Sequence, residues 1–218
     1  RDRLRSRGLG DVYKRQQNAV EKAEDCDVII AVLGEDEYRT GESRSRTSLD
    51  LPGRQQELLE ALYATGKPVV LVLINGQPLT INWADKYIPS ILETWFPSCQ
   101  GGTVIAETLF GDYNPGGKLT VTFPKSVGQI ELNFPFKPGS HGSQPESGPN
   151  GSGSTRVLGE LYPFGHGLSY TSFEYSDMNV SPLEQGTQGN YTITFNITNT
   201  GTVSYTHLRA HETGAYLV

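Results

Sequence analysis

Residues 28–51 (VIIAVLGEDEYRTGESRSRTSLDL) carry more reactive side chains than any other stretch of the chain. An apolar run ends at Gly34, and acids and arginines then crowd one segment: Glu35, Asp36, Glu37, Arg39, Glu42, Arg44 and Arg46. A carboxyl group that stays protonated near neutral pH, because of low polarity or a neighbouring negative charge, can act as a general acid. The arginines could bind substrate hydroxyls or order the segment. The residue types alone also fit a solvated surface loop.

The elements on either side favour a functional loop. Residues 28–33 are continuously apolar and β-branched, which is typical of a strand covered on both faces. Pro52 suits a first helical turn, and the following RQQELLEALYATG places its leucines on one stripe. In open α/β folds, catalytic and binding groups lie on loops that follow strands. The charged segment is therefore the candidate site.

The rest of the chain predicts two kinds of structure. Residues 68–74 (PVVLVLI) read as a second buried strand, residues 88–96 contain a third apolar run, and residues 101–110 predict a short helix. This alternation predicts an α/β layer with a largely parallel sheet. Residues 138–159, rich in Gly, Ser and Pro, predict a surface loop. From residue 173 onward the pattern is β only, as at the start of a β-sandwich.

Several classes of protein are disfavoured. No apolar run approaches the ~20 residues of a membrane span. Cys26 and Cys99 lie outside any metal-binding spacing, and no phosphate-binding glycine motif occurs, so these residues indicate neither a metal site nor nucleotide binding.

The two ends differ from the middle in composition. Residues 1–16 carry six basic and two acidic side chains, and residues 204–218 carry one of each. Both ends are similar to translated read-through of sequencing adaptors, so we expect them to lie outside the folded domains. The basic end is then no nucleic-acid-binding arm, and His207 and His211 are no metal pair.

Four segments together resemble one protein family. They are VIIAVLGEDEYRTGESRSRTSLDLPGRQQELLEAL, GKPVVLVLINGQPLTINWA, SILETWFPSCQGGTVIAETLFGDYNPGGKLTVTFPKSVGQI and LYPFGHGLSYTSFEY. They resemble the C-terminal domain of family 3 glycoside hydrolases, in particular bacterial β-glucosidases. The resemblance implies a three-layer α/β sandwich over residues 17–171, incomplete at its N-terminal side. Residues 172–203 resemble the start of a fibronectin type III-like domain, truncated near Val203.

The resemblance also implies a chemistry. Such enzymes are retaining exo-glycosidases, which need two carboxyl groups only about 5–5.5 Å apart. The nucleophile is an aspartate on a preceding TIM-barrel domain, which this chain lacks. The acid/base is a glutamate on the loop after a sandwich strand. Relative to SRTSLDLP, Glu42 falls at that position, and Glu35 is the alternative because the loop varies in length. Arg44 and Arg46 would bind substrate or order the loop.

The resemblance implies an enzyme that acts on terminal β-linked glucosides or gluco-oligosaccharides, with a β-xylosidase or α-arabinofuranosidase as the alternative. It also implies that neither a metal nor an organic cofactor is needed. A noncatalytic carbohydrate-binding or interaction module is a rival of another class, and a free-standing nucleotide-binding domain is a third. The resemblance implies a periplasmic or secreted protein. Without the barrel, we expect this chain to be inactive by itself.

Overall fold

The computed structural model describes residues 9–129, 159–181 and 189–203, with side chains from residue 14 onward. The loop predicted over residues 138–159 falls almost entirely outside the described residues, and so does the tail from residue 204. Contacts divide the chain into two compact units, one of Arg1–Gly102 with Val121–Pro163 and the other of Thr103–Thr120 with Phe164–Val218. The domain boundary expected at residues 171–172 stays a prediction.

The first unit contains a parallel sheet. Its strands are β1 (Ile29–Gly34), β2 (Val69–Ile74) and β3 (Ser90–Glu93), in the order β1-β2-β3. Both pairings are parallel, with Gly34 opposite Ile74 and Leu73 opposite Glu93. The helices of this unit are α1 (Leu9–Glu24), α2 (Gln55–Tyr63) and α3 (Asn82–Tyr87). The predicted α/β class and the parallel sheet are confirmed.

The core forms where the central strand meets the helices. Leu71 and Leu73 on β2 are fully buried, and α2 buries Leu59 and Leu62 in the same apolar cluster. The helix begins at Gln55, three residues later than the Pro52 start that the sequence predicts. Gly53 adopts a φ of +66°, a left-handed conformation that a right-handed helix does not continue through.

One expectation about β1 is wrong. The strand was predicted to be covered on both faces, yet only Ile29 and Ala31 are buried. Val28, Ile30 and Val32, which point to the other face, are each about half exposed. The reason is that, among the described residues, α1 and α2 pack in the apolar cluster with Ile29 and Ala31 and so cover only that face of β1. Continuous hydrophobicity predicts burial of a strand only where layers lie on both faces.

The helix α1 extends across a predicted boundary. It begins at Leu9, inside the first 16 residues, which were expected to lie outside the folded domain. The helix α3 has only six residues and was not predicted, because so short a segment shows little hydrophobic periodicity.

In its described residues, the second unit combines one helix with two antiparallel strands. The helix α4 (Gly101–Phe110) has the bounds that the sequence predicts, and all of it except its first two residues belongs to the second unit. Strands β4 (Phe173–Ser181) and β5 (Thr192–Asn199) pair antiparallel, with an irregularity between Ser176 and Asn179. The predicted pair of strands is confirmed, and its fibronectin-like character stays a prediction. Among the described residues, no helix combines the length and hydrophobicity that crossing a membrane requires.

Candidate active site

A polar residue lies at the end of each of the three parallel strands or directly after it. Glu35 follows β1, Asn75 follows β2, and Glu93 is the last residue of β3. Parallel strands present their carboxyl ends at one edge of a sheet, so these three side chains come together although they are far apart in sequence. We call them the polar row. Glu35 and Asn75 are buried and Glu93 is partly buried.

The carboxylate of Glu35 is held by several donors. Its side chain has no exposed surface and forms an ion pair with Arg46. The Gln77 side-chain amide donates to Glu35 Oε1 at 3.1 Å, and the Gly76 N–H donates to Oε2 at 3.4 Å. A buried charge requires such pairing and hydrogen bonding to be tolerated. Glu35 therefore anchors its surroundings, and its carboxylate is not accessible from solvent.

The Glu35–Arg46 ion pair joins the two sides of the charged loop. We call this pair the base of the loop. Within the loop, Arg44 donates a hydrogen bond to the Tyr38 carbonyl oxygen, and Arg39 forms an exposed ion pair with Asp36. The contacts of Arg44 and Arg46 are thus contacts that order the loop. A role of either arginine in substrate binding stays a prediction.

Glu42 lies at the opposite end of the loop from the base, in a tight turn. The Arg44 N–H donates to the Gly41 carbonyl oxygen at 3.2 Å, which places Glu42 and Ser43 at the two central positions. Ser43 has a φ of 62°, as expected at the second central position of a type II turn. We call residues 41–44 the tip of the loop. Glu42 is exposed, and no hydrogen bond or ion pair to its carboxylate occurs within the described residues.

Sequence reasoning missed two members of the polar row, Asn75 and Glu93. The pKa of Glu93 is raised to about 7, mainly by burial and in smaller part by the nearby charge of Glu35, against hydrogen bonds from Trp95 and Asn75 that lower it. One signal could have found both residues. Each of the three apolar runs ends in a polar residue: VLG before Glu35, VLI before Asn75, and SIL before Glu93.

A cleft of about 740 Å³ opens beside the loop. Its walls come from the loop and from the first turns of α2 and α3, and they include Arg39, Arg46, Asp50, Gln56, Glu60 and Trp83. The two arginines are already paired with Asp36 and Glu35, and the lining carries two further acids, Asp50 and Glu60. Such a lining suits a neutral, hydroxyl-rich ligand better than an anion. Among the described residues, no three His, Cys, Asp or Glu side chains lie close enough to hold a metal ion.

Comparison with known proteins identifies the family. The sequence profile of the glycosyl hydrolase family 3 C-terminal domain matches residues 3–170. This chain belongs to glycosyl hydrolase family 3. It is 46% identical over 186 residues to a periplasmic β-glucosidase of Salmonella typhimurium, covering 84% of this chain and 24% of that protein. It is 43% identical over 188 residues to a β-xylosidase of Formosa agariphila, covering 85% and 25%.

The solved structures agree with that family. A β-glucosidase from Erythrobacter marinus superposes with a TM-score of 0.75 at 38% identity, over 92% of this chain and 27% of the other. The family 3 chain therefore spans about a quarter of the length of the relatives it matches. Family membership also excludes one earlier alternative, the free-standing nucleotide-binding domain.

Proposed function

We propose that the protein containing this family 3 domain is a retaining exo-β-glycosidase, with Glu42 as its acid/base residue. Relatives named as β-glucosidases and β-xylosidases support the reaction class. The observation that carries the choice of residue is the contrast between the two candidate glutamates. Glu42 is exposed at the tip of the loop, whereas the side chain of Glu35 is fully buried at the base. A proton donor must reach the glycosidic oxygen, and Glu35 does not reach any surface.

In the proposed reaction, Glu42 acts first as an acid. Its protonated carboxyl group donates a proton to the glycosidic oxygen while the bond from that oxygen to C1 breaks and a nucleophilic carboxylate binds C1. The Glu42 carboxylate then takes a proton from water, whose oxygen attacks C1 and releases the sugar from the nucleophile. The nucleophile is proposed to be an aspartate on a preceding TIM-barrel domain of the same polypeptide.

The ordered loop suits this double role. The ion pair at the base fixes where the loop starts and returns, and the turn at the tip directs one carboxyl group outward. A catalytic group held in one geometry contributes more to the rate than one on a mobile chain. In this proposal the ion pair between Arg46 and Glu35 anchors the loop, and the anchored loop holds the Glu42 carboxyl group in place.

The proposed substrate is a terminal β-glucoside. Its support is the name of the Salmonella relative and that of the Erythrobacter structure. The Formosa relative, a β-xylosidase, favours a β-xyloside as the second candidate, and an α-arabinofuranoside is a third. Comparison of kcat/KM for nitrophenyl β-glucoside, β-xyloside and α-arabinofuranoside by the full-length protein decides among them. A periplasmic or secreted location is proposed from the name of the same Salmonella relative.

Substitution of the two glutamates in the full-length protein tests the assignment. Glu42→Gln should lower kcat by about 10²–10⁴-fold for a glycoside with a poor leaving group, because that oxygen needs a proton as it departs. A nitrophenyl glycoside, whose leaving group needs little protonation, should be affected much less in the first step. Glu35→Gln tests the alternative assignment. The assignment is wrong if Glu35→Gln shows this dependence on the leaving group and Glu42→Gln resembles the wild type.

The same proposal predicts that the 218-residue chain alone does not hydrolyse nitrophenyl β-glucoside. It supplies the acid/base residue but not the proposed nucleophile. Turnover by the purified chain above that of its Glu42→Gln variant would contradict this. A noncatalytic module, the remaining rival, requires that the full-length protein also show no turnover.

A further inference from the structure

The polar row contains more negative charge than its partners neutralise. Two carboxyl groups, Glu35 and Glu93, lie near one another at the carboxyl edge of the sheet, and Arg46 pairs with Glu35. Asn75 lies between them and is fully buried. A surplus carboxylate in a buried cluster is costly unless it is hydrogen-bonded or protonated. The Glu35–Arg46 ion pair neutralises only one of the two carboxyl groups, so the carboxyl group of Glu93 needs hydrogen bonds or a proton.

A continuous set of hydrogen bonds links Glu93 to the base of the loop. The Asn75 side-chain N–H₂ donates to Glu93 Oε2 at 3.2 Å and to the Gln77 carbonyl oxygen at 2.9 Å. The Gln77 side chain and the Gly76 N–H in turn donate to Glu35. Residues 75–77 thus contact Glu93 on one side and Glu35 on the other. A shift of this turn would therefore move two of the donors that bind Glu35.

The same turn also packs directly against the charged loop. A methyl group placed on Gly76 would lie 2.9 Å from Thr40 Cβ and 2.7 Å from Phe96 Cε2. Both distances are shorter than van der Waals contact between carbon atoms allows, so the turn and the loop are closely packed here. Thr40 precedes the tip by one residue. The position of the turn therefore constrains the tip by contact as well as through the base.

Glu93 is itself held in a particular geometry. The Trp95 N–H donates to Glu93 Oε1 at 2.8 Å, and Trp95 has a φ of 52°, which is uncommon for a residue other than glycine. A conformation of this kind persists only where surrounding contacts maintain it. Glu93 therefore accepts hydrogen bonds from both sides: from the strained backbone at Trp95, after β3, and from Asn75 in the turn after β2.

We propose that Glu93 is a positioning residue that acts through Asn75 and the Glu35–Arg46 pair to set the placement of the loop carrying Glu42. Its relevance to catalysis rests on the function proposed above for Glu42. The positioning itself does not, because it concerns contacts within this chain alone. Glu93 lies at the end of a strand and its contacts are with Asn75 and backbone groups, so it is not a catalytic residue in this proposal.

The electrostatics of the cluster support a protonation-dependent role. Burial, and to a lesser extent the charge of Glu35, raise the pKa of Glu93 to about 7. The groups that face it are the Glu35 carboxylate from β1, with Arg46 behind it, and the amide dipoles of Asn75, Thr94 and Trp95. Asn75 Oδ1 is a buried acceptor without a partner in the described structure. A protonated Glu93 adds one donor to this cluster and removes the repulsion between the two carboxylates.

An NMR titration of the 218-residue chain tests the proposal. Backbone amide resonances of residues 36–47 should shift with pH with a midpoint near 7, together with that of Trp95, because ionised Glu93 repels Glu35 and moves the turn. Glu93→Gln should abolish this transition and keep the loop resonances near their positions in the wild type at pH 5. Glu107→Gln, at an exposed site on α4, is the matched control and should leave the transition unchanged.

A second variant keeps the test decisive if Glu93→Gln folds poorly. In Glu35→Gln the neighbouring negative charge is absent, so the transition at Trp95 should move to lower pH. The proposal is overturned if the loop amides of the wild type do not titrate near pH 7. It is also overturned if they titrate equally in Glu93→Gln.

The full-length protein separates this inference from the proposed function. Asn75→Ala should lower kcat for a glycoside with a poor leaving group by about 10²-fold, as a small displacement of an acid/base residue does. Its KM should change less than kcat. If Glu42→Gln proves unimportant, the proposed function fails while the NMR transition still decides whether Glu93 positions the loop. If Glu42→Gln lowers kcat as proposed and kcat for Asn75→Ala equals that of the wild type, positioning by the polar row is wrong.

Discussion

The base and the tip of the charged loop are built from the same kinds of residue but are stabilised in different ways. At the base, Glu35 is fully buried and bound by Arg46, Gln77 and Gly76. At the tip, Glu42 is exposed, and one backbone hydrogen bond closes the turn around it. The difference teaches that a glutamate next to a strand end is bound into the structure here, while one further along the loop is left exposed.

This comparison has energetic consequences. Removing one partner of a buried ion pair leaves an uncompensated charge in a medium of low polarity. Changing an exposed side chain without partners has little effect on folding. Removing the Glu35 side chain at the base should therefore reduce the stability of the chain, and removing the Glu42 side chain at the tip should leave it nearly unchanged.

The largest effect is expected from a matched pair of glycines. Gly34, which directly precedes Glu35 of the base, has a φ of +139°, and Gly41 at the tip has a φ of +119°. In Gly34→Ala the new methyl group overlaps the Ile74 carbonyl oxygen, whereas in Gly41→Ala it meets no atom within 4 Å. We expect Gly34→Ala to reduce the free energy of unfolding by about 4 kcal/mol or more, and Gly41→Ala by only the backbone strain of about 1–3 kcal/mol. Urea unfolding of the two variants measures the difference.

The two glutamates give the next comparison. Glu35→Ala leaves Arg46 without its ion-pair partner and should reduce the free energy of unfolding by about 3–5 kcal/mol. Glu42→Ala should change it by no more than about 0.5 kcal/mol. Chemical denaturation at pH 7 followed by circular dichroism gives both values. Equal effects of the two substitutions would show that base and tip do not differ as described.

The pH dependence of stability sharpens the comparison within the polar row. The pKa of Glu93 is raised from 4.5 to about 7, so the folded state binds its proton more tightly than the unfolded state does. Glu93 therefore contributes its full stability below pH 4.5, and this contribution is lost as pH rises to about 7. At 1.36 kcal/mol per pKa unit, the loss is about 3 kcal/mol.

The variant Glu93→Gln removes this proton linkage. It should unfold at nearly the same denaturant concentration as the wild type at pH 5, and it should be more stable than the wild type at pH 8 by up to about 3 kcal/mol. Denaturation midpoints measured from pH 4.5 to pH 8 test the sign. A wild type whose advantage over Glu93→Gln grows with rising pH would contradict the assignment.

Much of the fold could be predicted from the sequence, because hydrophobic runs and turn residues are local signals. The strands β1 and β2 and the helix α4 were placed within a residue or two in this way. The site could be predicted only to the level of a loop. Glu35 and Glu42 have the same side chain, and the hydrogen-bond donors that bind the Glu35 carboxylate come from residues 11 to 42 positions away in the sequence. The polar row depends on strand register, which no single segment encodes.

The smallest effect concerns how the base is attached to α2. The Gln55 side-chain amide accepts a hydrogen bond from the Gly34 N–H at 2.7 Å and donates one to the Gly34 carbonyl oxygen at 2.8 Å. The adjacent Gln56 donates instead to the exposed Glu60. Gln55→Ala leaves two backbone groups at the strand end without partners and should reduce the free energy of unfolding by about 1–3 kcal/mol. Gln56→Ala, at the next residue of the same helix, should change it by no more than about 0.5 kcal/mol. If both variants unfold at the same urea concentration, this attachment contributes nothing, and the base owes its rigidity to the ion pair and the polar row alone.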